Sequence, residues 1–252
     1  MTPDNAISTR TTTGTLNDAP GILLDCDGVL VDNLDFDRRV TRTIIKAYAR
    51  KAGVSMFDAE GAWSNELSET RGHPLWFDYA YHCDRLGLDG PALSEYAHLE
   101  AAELLTVVPG AVETHQLLQK QGIAIGVVTD ATSWVVHFKL RTVGFDSLSL
   151  VFSSSDASAT KATHEYWQRL AQQFRHFRPR ALIDNRPVNL LTARQSIPAL
   201  QLIQFVRHEH VTTLPSSVAP TSHRSHDEPV TIIHSHNELR AWVMGNMEWA
   251  GP

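Results

Sequence analysis

Six short apolar runs, separated by segments with helical spacing, constrain the fold of this chain more than any other feature of its sequence. The runs occupy 22–24, 124–128, 148–152, 181–183, 200–205 and 230–233. Short, continuous apolar runs of this kind are typical of strands that are buried on both faces of a parallel sheet. Helical spacing lies between most of them, at 112–120, 134–143, 164–174 and 188–195. The alternation predicts an α/β fold with a doubly wound, Rossmann-like parallel sheet.

The stretch 33–107 departs from this alternation. It has helical spacing at 40–52, 76–86 and 93–105, and it contains no convincing strand pattern. We therefore expect an α-helical cap domain inserted after the first strand, with an α/β core domain formed by 20–32 and 108–252. The polar segment 1–19 predicts a flexible N-terminal tail, and 207–228, rich in His, Ser, Thr and Pro, predicts a long surface loop.

The composition is that of an ordinary globular protein, with 252 residues, 42% of them hydrophobic, and a formal net charge of −6. This mild acidity gives no electrostatic reason to expect nucleic acid or an anionic membrane as a partner, and no apolar stretch is long enough to span a membrane. The two cysteines, Cys26 and Cys83, cannot form a disulfide framework, and the N-terminus lacks a signal-peptide core. We expect a cytoplasmic protein, in an oligomeric state that the sequence does not determine.

Two carboxylates follow the first predicted strand at the point where it ends. Asp25 comes directly after the run 22–24, Asp27 comes two residues later, and Gly28 allows the chain to turn sharply. Loops at the carboxyl ends of parallel strands line the crevice where such sheets bind ligands. One carboxylate can attack a phosphorus atom while the other protonates the leaving oxygen and later activates water. Because both repel a phosphate dianion, the pair implies a hard cation such as Mg²⁺; alternatively, the two residues only form a turn.

Three further polar groups occupy comparable positions. Thr129 follows the run 124–128, and Asp184 follows 181–183 with Asn185 beside it, so their side chains should lie at the same edge of the sheet. The Thr129 hydroxyl and the neighbouring amides could hold phosphate oxygens. Lys161 precedes a predicted helix, at a place from which its ammonium could reach a phosphoryl group or Asp25. The ordered set favours a phosphoryl-transfer site over a chance group of turn residues.

The segments around these residues resemble, in order, the four short motifs of the haloacid dehalogenase superfamily. They are Leu-Asp-Cys-Asp-Gly-Val-Leu at 24–30, Val-Thr-Asp at 128–130, Thr-Lys-Ala at 160–162 and Ile-Asp-Asn-Arg-Pro at 183–187. The resemblance implies that Asp25 is nucleophile and metal ligand, and that Asp27 is the acid/base and ligates Mg²⁺ through its carbonyl. The substrate-binding residues that it implies in the core are Gly28, Thr129, Asp130 and Lys161.

The fourth motif departs from the family pattern. Relatives usually carry an acidic pair there, or an acid after Gly, whereas this chain has Asn185 in the second place. Metal binding should therefore be weaker than usual, with either Asp184 or the neutral amide of Asn185 as the ligand.

Asp27 also separates two activities within the family, since members that remove halide generally lack an acid at this position. The resemblance therefore implies a magnesium-dependent phosphatase that acts on a small phosphorylated metabolite. Two alternatives stay open. One is a phosphomutase, which returns the phosphoryl group to a sugar, and the other is a non-catalytic binding module with a degraded site.

Candidate specificity residues lie in the insertion, which resembles the mobile cap of the family. Arg71 could lie on a loop that reaches the site, and Asn33 could line its entrance, unless Asn33 is only a hinge or a helix cap. We interpret the aromatic residues at 76, 77, 79 and 81 as packing residues. The histidines near the C-terminus match no zinc motif; they include His208, His210, His223, His226, His234 and His236.

Overall fold

A six-stranded sheet forms the centre of the molecule in a computed structural model that describes residues 20–145, 147–207 and 230–246. In chain order the strands are β1 (Pro20–Asp25), β2 (Val31–Asp32), β3 (Thr106–Val107), β4 (Ala124–Val128), β5 (Leu150–Phe152), β6 (Arg178–Asp184), β7 (Gln201–Phe205) and β8 (Thr231–Ile233). The sheet has the order β5-β4-β1-β6-β7-β8, and all neighbouring strands are parallel. The chain winds outward from β1 on both sides, which confirms the predicted doubly wound α/β class.

Helices cover both faces of this sheet. In chain order they are α1 (Leu34–Ala52), α2 (Met56–Glu69), α3 (Tyr79–Arg85), α4 (Gly90–Ala101), α5 (Ala111–Lys120), α6 (Ser133–Thr142), α7 (Ser154–Ala157), α8 (His164–Gln173), α9 (Pro187–Ser196) and α10 (His236–Asn246). Ile22 and Leu24 of β1 belong to an apolar cluster with residues of α5, α6 and α10, whereas Leu23 belongs to a second cluster with residues of α8 and α9. Successive side chains of a strand point to opposite faces, so a continuous apolar run suits a strand covered on both sides.

Helices α1 to α4 form the inserted helical layer between β2 and β3. The predicted helix 76–86 is in fact a short 3₁₀ turn, Pro74–Phe77, followed by α3. The two are separated because Asp78 has extended backbone geometry and accepts a hydrogen bond from the Tyr81 N–H at 3.0 Å, which caps α3. Helix α2 was not predicted, and neither was the antiparallel β2–β3 ribbon, through which the chain enters and leaves the helical layer.

Some predictions fall outside the described residues: the tail 1–19, almost all of the loop 207–228, and His208, His210, His223 and His226. His236 is described and buried on α10. Its Nε2 lies 2.7 Å from the carbonyl oxygen of Val29, and its Nδ1 lies 3.1 Å from the hydroxyl of Thr114, so it ties α10 to the loop after β1. Within the described ranges, no helix has the length and apolar character needed to cross a bilayer.

Candidate active site

Polar residues from three neighbouring strands meet at the carboxyl edge of the sheet. Asp25 is the last residue of the central strand β1, Thr129 follows β4, and Asp184 ends β6. Strands β4 and β6 pair with β1 on its two sides, so the strand order brings these residues together. Lys161 joins them from the segment between α7 and α8. The structure thus places four of the predicted site residues in one group.

The Lys161 ammonium is the centre of this group. It is 1% exposed, and it donates hydrogen bonds to Asp25 Oδ1 at 2.6 Å, to Asp184 Oδ2 at 2.8 Å and to the Val128 carbonyl at 3.3 Å. Burial acts to lower the pKa of Lys161, but the carboxylates of Asp184 and Asp25 together hold that pKa well above its usual value. Lys161 therefore stays charged and joins the ends of β1 and β6.

Asp25 is nearly buried, and only one of its carboxylate oxygens is occupied. Oδ1 accepts hydrogen bonds from Lys161 and from the Cys26 N–H at 2.8 Å, whereas Oδ2 accepts none from the part of the chain that the structure describes. Burial raises the pKa of the Asp25 carboxyl to about 8, and the Lys161 ammonium opposes this shift. The negative charge of Asp25 therefore depends on Lys161, and Oδ2 is the oxygen available for attack or for a cation.

Asp27 is held by a lysine that the sequence analysis missed. Lys139 of α6 is 3% exposed, and its ammonium donates to Asp27 Oδ1 at 2.9 Å and Oδ2 at 3.0 Å. The same ammonium lies 3.6 Å from Asp37 Oδ1 of α1 and 5.5 Å from the ring centroid of Phe36. Burial acts to lower the pKa of Lys139, but the carboxylates of Asp27 and Asp37 outweigh burial and hold that pKa above its usual value. Lys139 thus links the core, the inserted helices and the candidate acid/base.

The loop after β6 distinguishes the two candidate metal ligands. Asp184 is fully buried; its Oδ1 accepts from the Arg186 N–H at 2.7 Å, its Oδ2 accepts from Lys161, and the Asn189 amide donates to both oxygens. Asp184 therefore has no oxygen to spare for a cation. Asn185 is exposed, and its Nδ2 donates to the Asp27 carbonyl at 3.0 Å. The geometry therefore favours Asn185 over Asp184 as the metal ligand.

Three groups of the site could supply oxygens to a hard cation. They are Asp25, whose Oδ1 alone accepts hydrogen bonds in the described part of the chain, the Asp27 carbonyl, and Asn185 Oδ1 after a half-turn of the amide. After that half-turn, Asn185 Oδ1 would face the Asp27 carbonyl oxygen, and the two oxygens would repel each other unless a cation lay between them. The set suits Mg²⁺ in kind, but Asp25 is the only side-chain carboxylate in it. Within the described ranges, no group of three or more His, Cys, Asp and Glu side chains could hold a metal. Gly28 is required here, because its φ is +81° and a Cβ would lie 2.6 Å from Asn185 Nδ2.

The second motif fixes the loops on one side of the site. The Thr129 hydroxyl accepts from the Ala131 N–H at 3.1 Å, and the Thr129 N–H donates to the Phe152 carbonyl at 3.0 Å. Asp130, predicted to contact substrate, accepts the Lys161 N–H at 2.7 Å through one carboxylate oxygen, and its other oxygen lies 3.4 Å from the Arg186 guanidinium. Asp130 therefore positions the Lys161 loop.

A cavity of about 290 Å³ opens on Asp27 between the sheet edge and the inserted helices. Its lining residues are Asp27, Asn33, Asp37, Leu67, Trp76, Phe77, Tyr79, His98, Ala131, Val135 and Lys139. Asn33 is the N-cap residue of α1, lines this cavity and donates to Asp37 Oδ2 at 2.5 Å. Arg71 is exposed and is absent from the lining. Trp76, Phe77 and Tyr79, interpreted above as packing residues, form part of the wall.

Comparisons with known proteins agree with this architecture. A family model described as haloacid dehalogenase-like hydrolase matches residues 20–193, whereas no curated protein sequence matches the chain. A haloacid dehalogenase (HAD) phosphatase from Thermococcus onnurineus is 18% identical and has a TM-score of 0.68, covering 90% of this chain and 98% of that one. A 2-haloacid dehalogenase from Pseudomonas syringae pv. Tomato DC3000 is 15% identical, with a TM-score of 0.61 and coverage of 92% and 100%. A HAD-hydrolase from Bacillus subtilis, bound to magnesium, is 15% identical, with a TM-score of 0.58 and coverage of 92% and 100%.

Proposed function

Because the chain belongs to the haloacid dehalogenase-like hydrolase family, we propose that it is a magnesium-dependent phosphatase that hydrolyses a small phosphorylated metabolite through a phosphoaspartate on Asp25. The observation that carries this proposal is Asp27, which lies two residues beyond the nucleophile and lines the cavity. An alkoxide leaving group needs a proton, and a carboxyl group at this place can provide it. A halide needs none, so Asp27 supports phosphoryl transfer over dehalogenation.

In the first step a carboxylate oxygen of Asp25 attacks phosphorus, and the bond between phosphorus and the leaving oxygen breaks as the new bond forms. Lys161 and the groups around Thr129 hold the phosphoryl oxygens, and Asp27 protonates the departing alcohol. Asp27 then takes a proton from a water that attacks the phosphoaspartate, which frees phosphate and Asp25. A magnesium ion held by Asp25, the Asp27 carbonyl and Asn185 would neutralise charge on the phosphoryl oxygens.

Both carboxylate oxygens of Asp27 accept a hydrogen bond from the Lys139 ammonium. This arrangement suits the second step, in which Asp27 acts as a base. For the first step Asp27 must carry a proton, so its contact with Lys139 has to loosen when substrate binds. The proposed reaction therefore needs Asp27 in two arrangements.

The test is the substitution Asp25→Asn, measured as magnesium-dependent release of phosphate from a panel of phosphorylated metabolites. The amide keeps the size of the side chain but cannot attack, so we expect kcat to fall by about 10³-fold or more. Asp35→Asn is the matched control, since Asp35 is an exposed acid at the start of α1 and pairs with Arg38 on the surface. Near wild-type turnover by Asp25→Asn, with a folded protein by circular dichroism, would show the proposal to be wrong.

A further inference from the structure

We infer that the substrate is the monophosphate ester of a compact, largely apolar alcohol, such as a single aromatic ring, that carries no second negative charge. The inference rests on the proposed phosphatase function and names the substrate class of that site. It follows from the walls, the size and the charge of the cavity that opens on Asp27.

The walls of the cavity are mostly apolar and incompletely covered. Leu67, Trp76, Phe77, Tyr79 and Val135 all line it, and each is only half-buried. Trp76 and Phe77 meet edge to face, with ring centroids 4.8 Å apart. A ligand that covers these apolar side chains removes them from water, which favours binding. Aromatic walls also suit a flat apolar group. The walls therefore favour an apolar leaving group.

The cavity is also small. At about 290 Å³ it lies at the low end of the roughly 300–1,000 Å³ that is usual for small-molecule sites. The phosphoryl group itself belongs at Asp25, outside the residues that line the cavity. The remaining space suits a ring with a few substituent atoms and excludes a nucleoside or a long chain.

The charges of the lining oppose a second anion. Asp27 and Asp37 both face the cavity, and Lys139 is the one cation among the lining residues. Its ammonium already contacts both acids, at 2.9 Å and 3.6 Å. His98 adds no positive charge near neutral pH, because burial lowers its pKa to about 4. A carboxylate or second phosphate on the leaving group would therefore meet two acids and no free cation within the lining.

This selectivity separates the present chain from activities of other family members. A haloacid carries a carboxylate, which these acids would repel. A sugar phosphate carries several hydroxyls, which aromatic walls cannot satisfy with hydrogen bonds. Neither class of substrate matches the cavity.

The test compares two esters of equal shape, 4-carbamoylbenzyl phosphate and 4-carboxybenzyl phosphate, with benzyl phosphate and glucose 6-phosphate as references. Phosphate release is measured in the presence of magnesium. We expect kcat/KM for the carbamoyl ester to exceed that for the carboxy ester by at least about tenfold, and benzyl phosphate to exceed glucose 6-phosphate by a similar factor. An equal or reversed order in either pair overturns the inference.

Two variants examine the origin of the preference. Trp76→Ala should raise KM for benzyl phosphate by about fivefold or more while changing kcat less, because it removes wall area and leaves the reacting groups in place. Trp242→Ala is the matched control, since Trp242 is a half-buried residue of α10 that packs on the core and does not line the cavity. Asp37→Asn should reduce the preference for the carbamoyl ester. If neither cavity variant differs from the control, the cavity is not the leaving-group site.

Binding to Asp25→Asn, followed by tryptophan fluorescence, separates this inference from the proposed function. If the wild type hydrolyses no ester but Asp25→Asn binds the carbamoyl ester more tightly than the carboxy ester, the hydrolase proposal fails and the inference stands. If the wild type hydrolyses sugar phosphates or carboxylated esters in preference, the hydrolase stands and the inference fails. If the esters are neither hydrolysed nor bound, both are wrong.

Discussion

At the residue scale, Lys139 joins the core to the inserted helices. Its ammonium is buried, and it contacts one carboxylate in the core and another in the inserted helices. We predict that Lys139→Met lowers the free energy of unfolding by about 2 kcal/mol, because Asp27 and Asp37 then repel each other in a partly desolvated place. It should also lower kcat by about 10- to 100-fold, because Asp27 loses its orientation. Denaturant titration and steady-state kinetics measure the two effects.

The double variant Lys139→Met with Asp37→Asn provides the control for this prediction. Removing one of the two acids relieves the repulsion, so the double variant should recover part of the lost stability without recovering kcat. Additive losses of stability would contradict a charge-based role for Lys139. A Lys139→Met enzyme with unchanged kcat would show that Asp27 does not need this contact.

Asn185 carries the second prediction at this scale. Asn185→Asp should tighten magnesium by about tenfold, or about 1.4 kcal/mol, because it replaces a neutral amide oxygen by a carboxylate. Isothermal titration calorimetry with magnesium measures the change. Asn65→Asp, which adds the same charge on the exposed surface of α2, is the control. Unchanged or weaker affinity in Asn185→Asp would contradict our assignment of Asn185 to the metal.

The predicted strand order was enough to place the site residues together. It did not predict the residues that hold their side chains in position. Asp25, Thr129 and Asp184 could be placed together because the ends of parallel strands share one edge of the sheet. Lys139 lies on the apolar face of α6, three residues after Val136. This spacing is the only feature of the sequence that indicates that Lys139 is buried. Its partner Asp37 is 102 positions away in the numbering, and no periodicity connects such distant charges.

At the scale of elements, the buried strands were predictable and α2 was not. All six apolar runs became strands of the sheet. The central strands β1 and β4 are buried on both faces, whereas Ile232 of the edge strand β8 is 57% exposed. In α2 the apolar residues do not mark the buried face of the helix. Phe57 is 82% exposed, whereas Glu66 is buried and accepts a hydrogen bond from Arg85 at 2.6 Å. The two-residue strands β2 and β3 are too short to show any alternation.

His98 gives helix α4 a predictable response to acid. Its Nδ1–H donates to the Ser94 carbonyl at 2.7 Å, and burial lowers its pKa to about 4 from the usual 6.5. The unfolded chain therefore binds a proton that the folded chain refuses, so stability is full above pH 6.5 and is lost as the pH falls towards 4. We predict that His98 alone makes the free energy of unfolding about 2 kcal/mol lower at pH 5 than at pH 8.

Denaturant titrations of His98→Phe at both pH values check this prediction, and the difference between them should shrink by that amount. Phenylalanine suits the site, because the His98 ring lies among Phe36, Tyr79 and Phe138. His137→Phe is the control, since His137 also contacts the carbonyl four residues earlier at 2.7 Å but is exposed. A pH dependence that is equally reduced in both variants would contradict the assignment to His98.

At the scale of the whole molecule, we propose that 33–107 is a separate cap domain inserted into a core of 20–32 and 108–252. Asp32 and Thr106 are direct partners in the β2–β3 ribbon, so Asn-Gly can replace 33–105 as a two-residue hairpin turn. Phe138→Gln should accompany this deletion, because the Phe138 ring packs against Phe36 of the removed segment. We predict a folded core that unfolds in one cooperative transition and has lost its preference among esters, measured by circular dichroism and phosphate release. A chain without cooperative unfolding would place the boundary elsewhere.

The contact between Asp25 and Lys161 spans 136 positions of the chain, and this has a consequence for the protein while it is being made. A ribosome that adds about 5–20 residues per second needs roughly 7–27 s to travel from one to the other. During that time β1 has no β6 beside it, and Asp25, the proposed nucleophile, has neither the Lys161 ammonium nor the loop that we propose holds a cation. Prematurely terminated products that end before Lys161 should therefore be unable to attack phosphate esters. We therefore expect the proposed activity only from chains whose synthesis has passed β6, the last strand that borders Asp25.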